Sequence, residues 1–299
     1  MSRMKVGFIG LGTMGLPMTM NLLKSGFEVH VVSRSRGPIE KAVAAGAIEA
    51  SDAADLASKV QILLTCLPMP HTVEDIYLGS HGVLSGSREG LIIADHSTVS
   101  PQLNQQIYNA AKEKGVHFLD APISGGPMGA EAGSLTIMCG GDERPYQTAL
   151  PVFEAMGRKI VLVGPVGSGS VVKLINNMLF GINVAAVSEV MVLAEKAGIP
   201  QDTLHEIIKV STGHSLGYDR IYPLITARNF APLFSVDLLY KDMKIAVNLA
   251  QQLETPLGVG RTATEMVGAA QAQGYGSEDV AATIRAIEDR TGIAITTKQ

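Results

Sequence analysis

"KVGFIGLGTMGLPMTMNLLKSG", residues 5–26, decides the fold. A short apolar run over 5–10 reads as a strand, and a helical pattern follows near 14–25. Between them Gly10, Gly12 and Gly15 stand in the GxGxxG spacing. The hexapeptide alone is a weak signal, but closing a strand and opening a helix with a second strand to follow is the context that gives it meaning. The first glycine permits the tight turn, the second lets backbone approach a pyrophosphate, and the third lets helix and strand pack closely. The unpaired N–H groups of the helix start then face the phosphates. Gly10, Leu11, Gly12, Thr13, Met14 and Gly15 are therefore expected to form a dinucleotide-binding turn; the bland alternative is a purely structural turn.

Outward from this turn, strand-like runs recur at 28–33, 61–67, 91–97, 116–122, 134–141 and 159–164, with helical patterns near 38–45, 71–78 and 101–114. Alternation of near-continuous apolar strands with helices predicts a mainly parallel, doubly wound sheet covered on both faces, an α/β Rossmann domain. After about residue 165 the β signal stops. One proline-free helical pattern runs from Ser168 to about Lys196, and a helix of roughly 28 residues would span about 42 Å. Further helices are expected over 201–211, 216–227, 235–253, 256–273 and 278–289. The expected organisation is a dinucleotide-binding domain over 1–165 and an all-α domain over 166–299, joined by the long interdomain helix.

The chain of 299 residues is long enough for two cores; it is 17% charged and 46% hydrophobic, with a formal net charge of −4. Without a basic tract, neither nucleic acid nor an anionic membrane is expected as a partner. Cys66 and Cys139 cannot make a disulfide framework and have no metal-like spacing, so no metal is expected. The start at "KVGFIGLG" lacks the pattern of a signal peptide, and a cytoplasmic location is expected. The apolar run 178–194 holds Asn183, Ser188 and Glu189 and reads as a buried helix rather than a membrane span.

The end of the second strand bears on cofactor choice. An acid there would take the ribose hydroxyls of NAD, yet the chain reads "VVSRSRG", with no acid between Glu28 and Glu40. Arginine forks and hydroxyls hold a phosphate, which a carboxylate would repel. NADP is expected to be preferred, bound by Ser33, Arg34 and Ser35, with NAD possible; the alternative is ordinary solvated loop arginines.

Four stretches taken together resemble the β-hydroxyacid dehydrogenase family, which includes 3-hydroxyisobutyrate dehydrogenase, tartronate semialdehyde reductase and 2-(hydroxymethyl)glutarate dehydrogenase. They are 7–26, "DAPISGGPMGAEAGSLTIMCGG" (120–141), "GSGSVVKLINN" (167–177) and "DLLYKDM" (237–243). The resemblance covers essentially the whole chain. It implies a Rossmann domain followed by a helical domain, with the active site in a cleft between them. It implies that Lys173, a charged amine in an apolar helical run, is the catalytic acid/base, and that Asn177, four residues on, orients lysine and substrate. It implies substrate carboxylate binding by Ser124, Gly125 and Gly126, and a place for Thr98 beside both cofactor and substrate. Leu67 and Pro68 would line the cofactor groove, and Lys241 would lie near the nicotinamide end with Asp242 beside it. His96 stands where relatives carry a small or apolar residue and is expected to be packed or partly exposed rather than catalytic.

The chemistry is coherent. Oxidising an alcohol removes a hydride from carbon and a proton from oxygen, so an acid/base must lie within hydrogen-bond reach of the hydroxyl. A lysine against apolar walls can have its pKa lowered while its charged form still stabilises an alkoxide. Two rivals share the fold, and the residues favour neither. 6-Phosphogluconate dehydrogenase has a histidine where this chain has Asn176, and its chain is much longer; imine reductases commonly lack the lysine. The expected function is hydride transfer between NAD(P) and the hydroxyl or aldehyde carbon of a small β-hydroxy acid or semialdehyde. The alternatives are an NADPH-dependent succinic or tartronate semialdehyde reductase and, from another class, a non-catalytic NADP-binding interaction module. Ser211, His214, Tyr218 and Arg220 are candidate substrate selectors. A homodimer or homotetramer is expected from the apolar long helix and the helical domain.

Overall fold

The computed structural model describes residues 4–295. Its strands are β1 (Lys5–Ile9), β2 (Glu28–Val32), β3 (Ile48–Glu49), β4 (Ile62–Thr65), β5 (Ile92–Asp95), β6 (His117–Asp120), β7 (Ile123–Ser124), β8 (Leu135–Gly140) and β9 (Gly157–Gly164). They form one sheet in the order β3-β2-β1-β4-β5-β6-β8-β7, with β9 beside β8. The first six are parallel. The chain winds outward from β1 to β3 and then returns to β4 on the other side of β1. The order therefore reverses beside β1, the place where open α/β sheets bind ligands.

The helices of this part are α1 (Gly15–Lys24), α2 (Arg36–Ala44), α3 (Ala53–Lys59), α4 (Pro70–Leu78), α5 (Val83–Gly86), α6 (Pro101–Lys112), α7 (Gly126–Glu131) and α8 (Glu143–Glu154). Alternate strand residues feed two cores, as the period-two pleat requires. Val6, Phe8, Val31 and Leu64 pack with Met18 and Leu22 of α1 and Phe153 of α8. Ile9, Leu63, Ile93 and Phe118 pack with Leu56 of α3, Tyr77 of α4 and Ile107 of α6. With both faces covered, the strands have no polar side to show, which is why they read as continuous apolar runs.

The sheet is mainly parallel, as expected, with one antiparallel edge: β8 runs antiparallel to β6 and β7, and β9 is parallel to β8. From β6 the chain goes directly into β7 and the six-residue α7, and a short return of this kind closes antiparallel pairs. The two-residue strands β3 and β7 are too short to leave a periodic signal. Helix α8, also absent from the sequence reading, contains Pro145 and Pro151.

The remaining helices are α9 (Ser168–Lys196), α10 (Gln201–Ile208), α11 (Leu216–Thr226), α12 (Val236–Gln252), α13 (Gly258–Ala270) and α14 (Thr283–Thr291). The chain divides into two compact units, Met1–Lys173 and Leu174–Gln299, so that α9 runs through both. It stops at Gly198 (φ +75°), where Ile199 N–H bonds back to Ala194 O at 2.9 Å, a Schellman ending. By length and composition α9 could cross a membrane, but 56% of its most apolar window is buried inside the protein. That buried face belongs to the second core, where Leu174, Val184 and Met191 meet Tyr218, Ile221, Leu239, Met243 and Val267. The helix expected over 256–273 is α13 with a wider π turn at Gln271–Tyr275, broken by Gly274 at φ +94°. The one expected over 278–289 is a 3-10 turn at Val280–Ala282 leading into α14.

Two buried titratable groups, His96 and Asp120, lie at the carboxyl ends of β5 and β6. The His96 ring donates or accepts through Nδ1 at 2.6 Å from Ala121 O; facing a carbonyl, it must donate. The ring lies edge-on to Phe153 at 5.8 Å. Burial draws its pKa down to about 4, against the opposing bond to Ala121. This is the packed histidine the sequence implied. Asp120 is pushed up to about 6 by burial, against the backbone N–H groups of Gly167 and Ser170 that favour its charge. Between pH 6.5 and 4 the folded chain holds fewer protons at His96 than the unfolded chain, so the stability owed to His96 falls as pH falls, by about 3 kcal/mol in total. Asp120 has the opposite sign between about pH 4 and 6. His96→Asn should therefore gain on the wild type as the pH is lowered from 7 to 4, by up to about 3 kcal/mol. Urea unfolding across that range measures the difference, and a pH-independent gap would show that His96 is not held neutral.

Candidate active site

The glycine turn leaves β1 at Gly10, which has φ +97°; a Cβ there would collide with Cys66 O and approach Leu67 Cδ2 to 2.9 Å. A Cβ on Gly15 would strike Gly10 O and meet Phe8 Cε1 at 2.8 Å. Gly12 differs: no atom lies within 4 Å of where its Cβ would be. Two glycines are thus required by the protein's own packing, and the third leaves open space over bare backbone, as a cradle for a phosphate needs. No side chain caps α1 at Met14, which leaves its start to a ligand or water. Leu11, Thr13 and Met14 complete the turn, and Leu11 N–H reaches Ser33 Oγ at 3.4 Å.

Ser33, Arg34 and Ser35 follow β2. The two arginines of "SRSR" have different occupations. Arg36 is bound by Glu49 through both carboxylate oxygens, at 2.7 and 2.8 Å, and by Glu40 at 3.2 Å. Arg34 is exposed, and no ion pair engages it among the described residues. Leu67 and Pro68 lie just past β4 and Thr98 just past β5, so they share the carboxyl edge of the sheet with the glycine turn. Ser124, Gly125 and Gly126 turn from β7 into α7, with φ +132° and +61° at the two glycines. Helix α7, which follows this turn, is tied to α1, because Asn21 Nδ2 donates to Ala130 O at 2.7 Å.

Asp120, the last residue of β6, holds the start of α9. Its Oδ1 accepts from Gly167 N at 2.7 Å and its Oδ2 from Ser170 N at 2.8 Å. Asn104 of α6 adds a bond from Nδ2 to Ser170 Oγ at 2.7 Å. Lys173 stands one turn beyond Ser170 and is half-buried. All these residues belong to the first unit.

Asn177 and Lys241 belong to the second. Asp242 joins them: its Oδ2 accepts from Asn177 Nδ2 at 2.6 Å, and its Oδ1 lies 3.0 Å from Lys241 Nζ. Asn176 donates to Asn177 Oδ1 at 3.1 Å, so the Asn177 amide is fixed from both ends. Asp242 sits on the buried face of α12 with Leu239, Met243 and Ala246. A buried carboxylate must be paired, and here an amide and an ammonium do it. The candidate selectors in 211–220 have local partners. Ser211 Oγ bonds Ile207 O at 2.7 Å, His214 pairs with Asp219 at 2.8 Å, Tyr218 is buried against Tyr222, and Arg220 reaches the buried Asp279 at 3.3 Å. Among the described residues no group of three His, Cys, Asp or Glu could hold a metal ion.

Sequence reasoning passed over Asp95 and Asp120 as anchors. The signal was there: each is the only charged residue closing an apolar strand, in "LIIAD" and "FLD".

Comparison with known proteins accords with this arrangement. Residues 5–164 match the NAD binding domain of 6-phosphogluconate dehydrogenase, and residues 167–287 match the NAD-binding domain of NADP-dependent 3-hydroxyisobutyrate dehydrogenase. The 2-(hydroxymethyl)glutarate dehydrogenase of Eubacterium barkeri is 38% identical over 292 residues, 97% of each chain. The 2-hydroxy-3-oxopropionate reductase of Escherichia coli K12 is 33% identical, covering 95% of this chain and 97% of its own. A crystal structure of 3-hydroxyisobutyrate dehydrogenase from Salmonella typhimurium is 30% identical, with a TM-score of 0.87 over 94% of this chain and 99% of that one. With a glycine turn at the reversal point of its sheet and matches along nearly its whole length, the chain belongs to the β-hydroxyacid dehydrogenase family of NAD(P)-dependent oxidoreductases.

Proposed function

We propose that the chain is an NADP-preferring dehydrogenase of a small β-hydroxy acid, or reductase of the matching semialdehyde, with Lys173 as its general acid/base. One observation carries the reading. Lys173 is a half-buried amine one turn past a helix start clamped by Asp120, and one turn before an asparagine fixed by Asp242. An acid/base needs such restraint, because proton transfer demands hydrogen-bond distance to the reacting oxygen.

When bound, the nicotinamide supplies or takes the hydride. The protein's part is the proton and the orientation. In alcohol oxidation the neutral Lys173 Nζ takes the hydroxyl proton; in carbonyl reduction the ammonium returns it to the developing alkoxide. Ser124 and the backbone N–H groups of Gly125 and Gly126 hold the substrate carboxylate. Asn177 orients lysine and substrate, Thr98 borders both ligands, and Lys241, held by Asp242, lies towards the nicotinamide. Leu67 and Pro68 wall the groove. Arg34, with Ser33 and Ser35, takes the 2′-phosphate. The dinucleotide-binding domain of 1–165 thus serves a substrate domain of 166–299, in the cytoplasm.

Exposed Leu179, Val190 and Leu193 fall on one face of α9, and a second copy of this chain covers them in the assembly we propose. Light scattering at micromolar concentration should give a dimer or tetramer, and a monomer would overturn the assembly. For the cofactor, Arg34→Ala should raise the KM for NADP about tenfold or more, the worth of a charge-assisted bond, and leave that for NAD nearly unchanged. Equal effects on both would end the phosphate role. For catalysis, Lys173→Ala should keep the fold and NADP affinity while lowering kcat by roughly 10²–10⁴-fold. Lys173→Arg should rescue little, since a guanidinium does not deprotonate. A fully active arginine variant would assign proton transfer to another group.

A further inference from the structure

The carboxyl ends of β4 and β5 are joined by a chain of buried polar groups that the proposed mechanism does not use. Thr65 and Asp95 are partners in the parallel ladder. Oδ1 of Asp95 accepts three bonds: from Thr65 Oγ1 at 2.6 Å, from Ser97 Oγ at 2.5 Å and from Ser97 N at 3.0 Å. Thr65 Oγ1 lies 2.6 Å from Tyr77 OH, and Ser97 Oγ accepts from Leu67 N at 2.9 Å. The direction of every proton follows. The Thr65 hydroxyl gives its hydrogen to Asp95, so Tyr77 must donate to Thr65. The Ser97 hydroxyl gives its hydrogen to Asp95, so it is free to accept from Leu67. Two relays converge on one carboxylate oxygen, and Thr65, Tyr77, Asp95 and Ser97 are all buried.

The end of this relay is not ordinary core. Leu67 N–H lies beyond the last ladder bond of β4, where Cys66 N bonds Ile9 O and His96 N bonds Thr65 O. Without Ser97 it would have no strand to bond. Leu67 in turn faces the glycine turn: its Cδ2 and the carbonyl of Cys66 occupy the space a Cβ on Gly10 would need. The relay therefore sets how closely the 66–68 segment lies against the turn that receives the dinucleotide.

We infer that Asp95 and Ser97 are positioning residues for the cofactor, holding the Leu67–Pro68 wall at its spacing from the Gly10–Gly15 turn through the Ser97 hydroxyl. The inference rests on the dinucleotide reading of that turn and not on the choice between NADP and NAD.

Ser97→Ala removes one buried oxygen, and Thr65→Val removes a donor to Asp95 without touching the hydroxyl that meets Leu67 N. Both are compared with Ser188→Ala, which deletes an equally buried hydroxyl bonded to Val184 O on α9. The readouts are NADPH and NADH dissociation constants by fluorescence titration and thermal midpoints. Ser97→Ala should weaken both dinucleotides about tenfold, Thr65→Val by a smaller factor in the same direction, and Ser97→Thr, which keeps the hydroxyl, should restore most of the affinity. Ser188→Ala should lower the midpoint and leave both constants unchanged. If Ser97→Ala and Thr65→Val lower the midpoint while binding both dinucleotides as the wild type does, the relay is only structural and the inference is overturned. If Ser97→Ala does not fold, Thr65→Val carries the same comparison. A wild-type chain that binds neither dinucleotide would overturn the inference together with the reading beneath it, whereas unchanged affinity in the variants of a binding wild type would overturn the inference alone.

Discussion

The grip of the Asp120 carboxylate on the first turn of α9 is the constraint on which the candidate site depends. A helix begins with unpaired N–H groups and a partial positive charge. Asp120 meets both needs, with one oxygen on Gly167 N and the other on Ser170 N. The contact requires the helix start to press against the ends of β6 and β8. Gly140 and Gly169 make that approach possible. A Cβ on Gly140 would lie 2.8 Å from Pro165 O and 2.9 Å from Gly169 N, and one on Gly169 would lie 2.7 Å from Asp120 O. The anchored first turn sets the phase of the helix residues that follow it in the first unit, Lys173 among them. Burial raises the pKa of Asp120 to about 6, against the two backbone bonds that favour its charge, so the carboxylate is charged at neutral pH.

The same device recurs. Asp95 gathers Thr65 and Ser97, Asp242 gathers Asn177 and Lys241, and Asp279 gathers the N–H groups of Leu233, Phe234 and Ala281 with Arg220. Each is buried. An isolated carboxylate in such a place costs several kcal/mol, and each of these is surrounded by donors instead. Apolar contacts hold the cores of the two units but are tolerant of small slides; a carboxylate with two or three donors has one geometry. Three of the four lie within a few residues of the groups proposed to touch cofactor or substrate.

What could be read from the sequence divides along the same line. The glycine turn was legible because Gly10 and Gly15 are required by local collisions, which leave a fixed spacing. The parallel strands were legible because burial on both faces removes polar residues from them. β7 and α7 were not, because short returns leave no period; the run read over 134–141 is β8, but its antiparallel direction depends on that unread return. Asp242 was read beside Lys241, but Asp95 and Asp120 were not read as anchors, because a lone acid ending an apolar run, as in "FLD", looks the same whether it meets water or a helix start. The partner that the structure gives Arg220, Asp279, is 59 residues away and was not legible for the same reason.

The loop after β2 shows how far a motif can be trusted on its own. "SRSR" reads as two equivalent cations, yet β3 brings Glu49 opposite Val31 of β2, and Glu49 with Glu40 occupies Arg36. Arg34 and Arg36 against Glu40 and Glu49 sum to zero local charge, and exposed charges are screened beyond about 8 Å at physiological ionic strength. A broad positive field therefore does not draw in a 2′-phosphate here. On the proposed reading, discrimination between NADP and NAD falls to hydrogen-bond contact by Arg34 and its flanking serines. A fork of donors in contact with a phosphate distinguishes it from a hydroxyl more sharply than a field does, and Arg36, by neutralising Glu49, removes the one carboxylate that β3 would otherwise set against it.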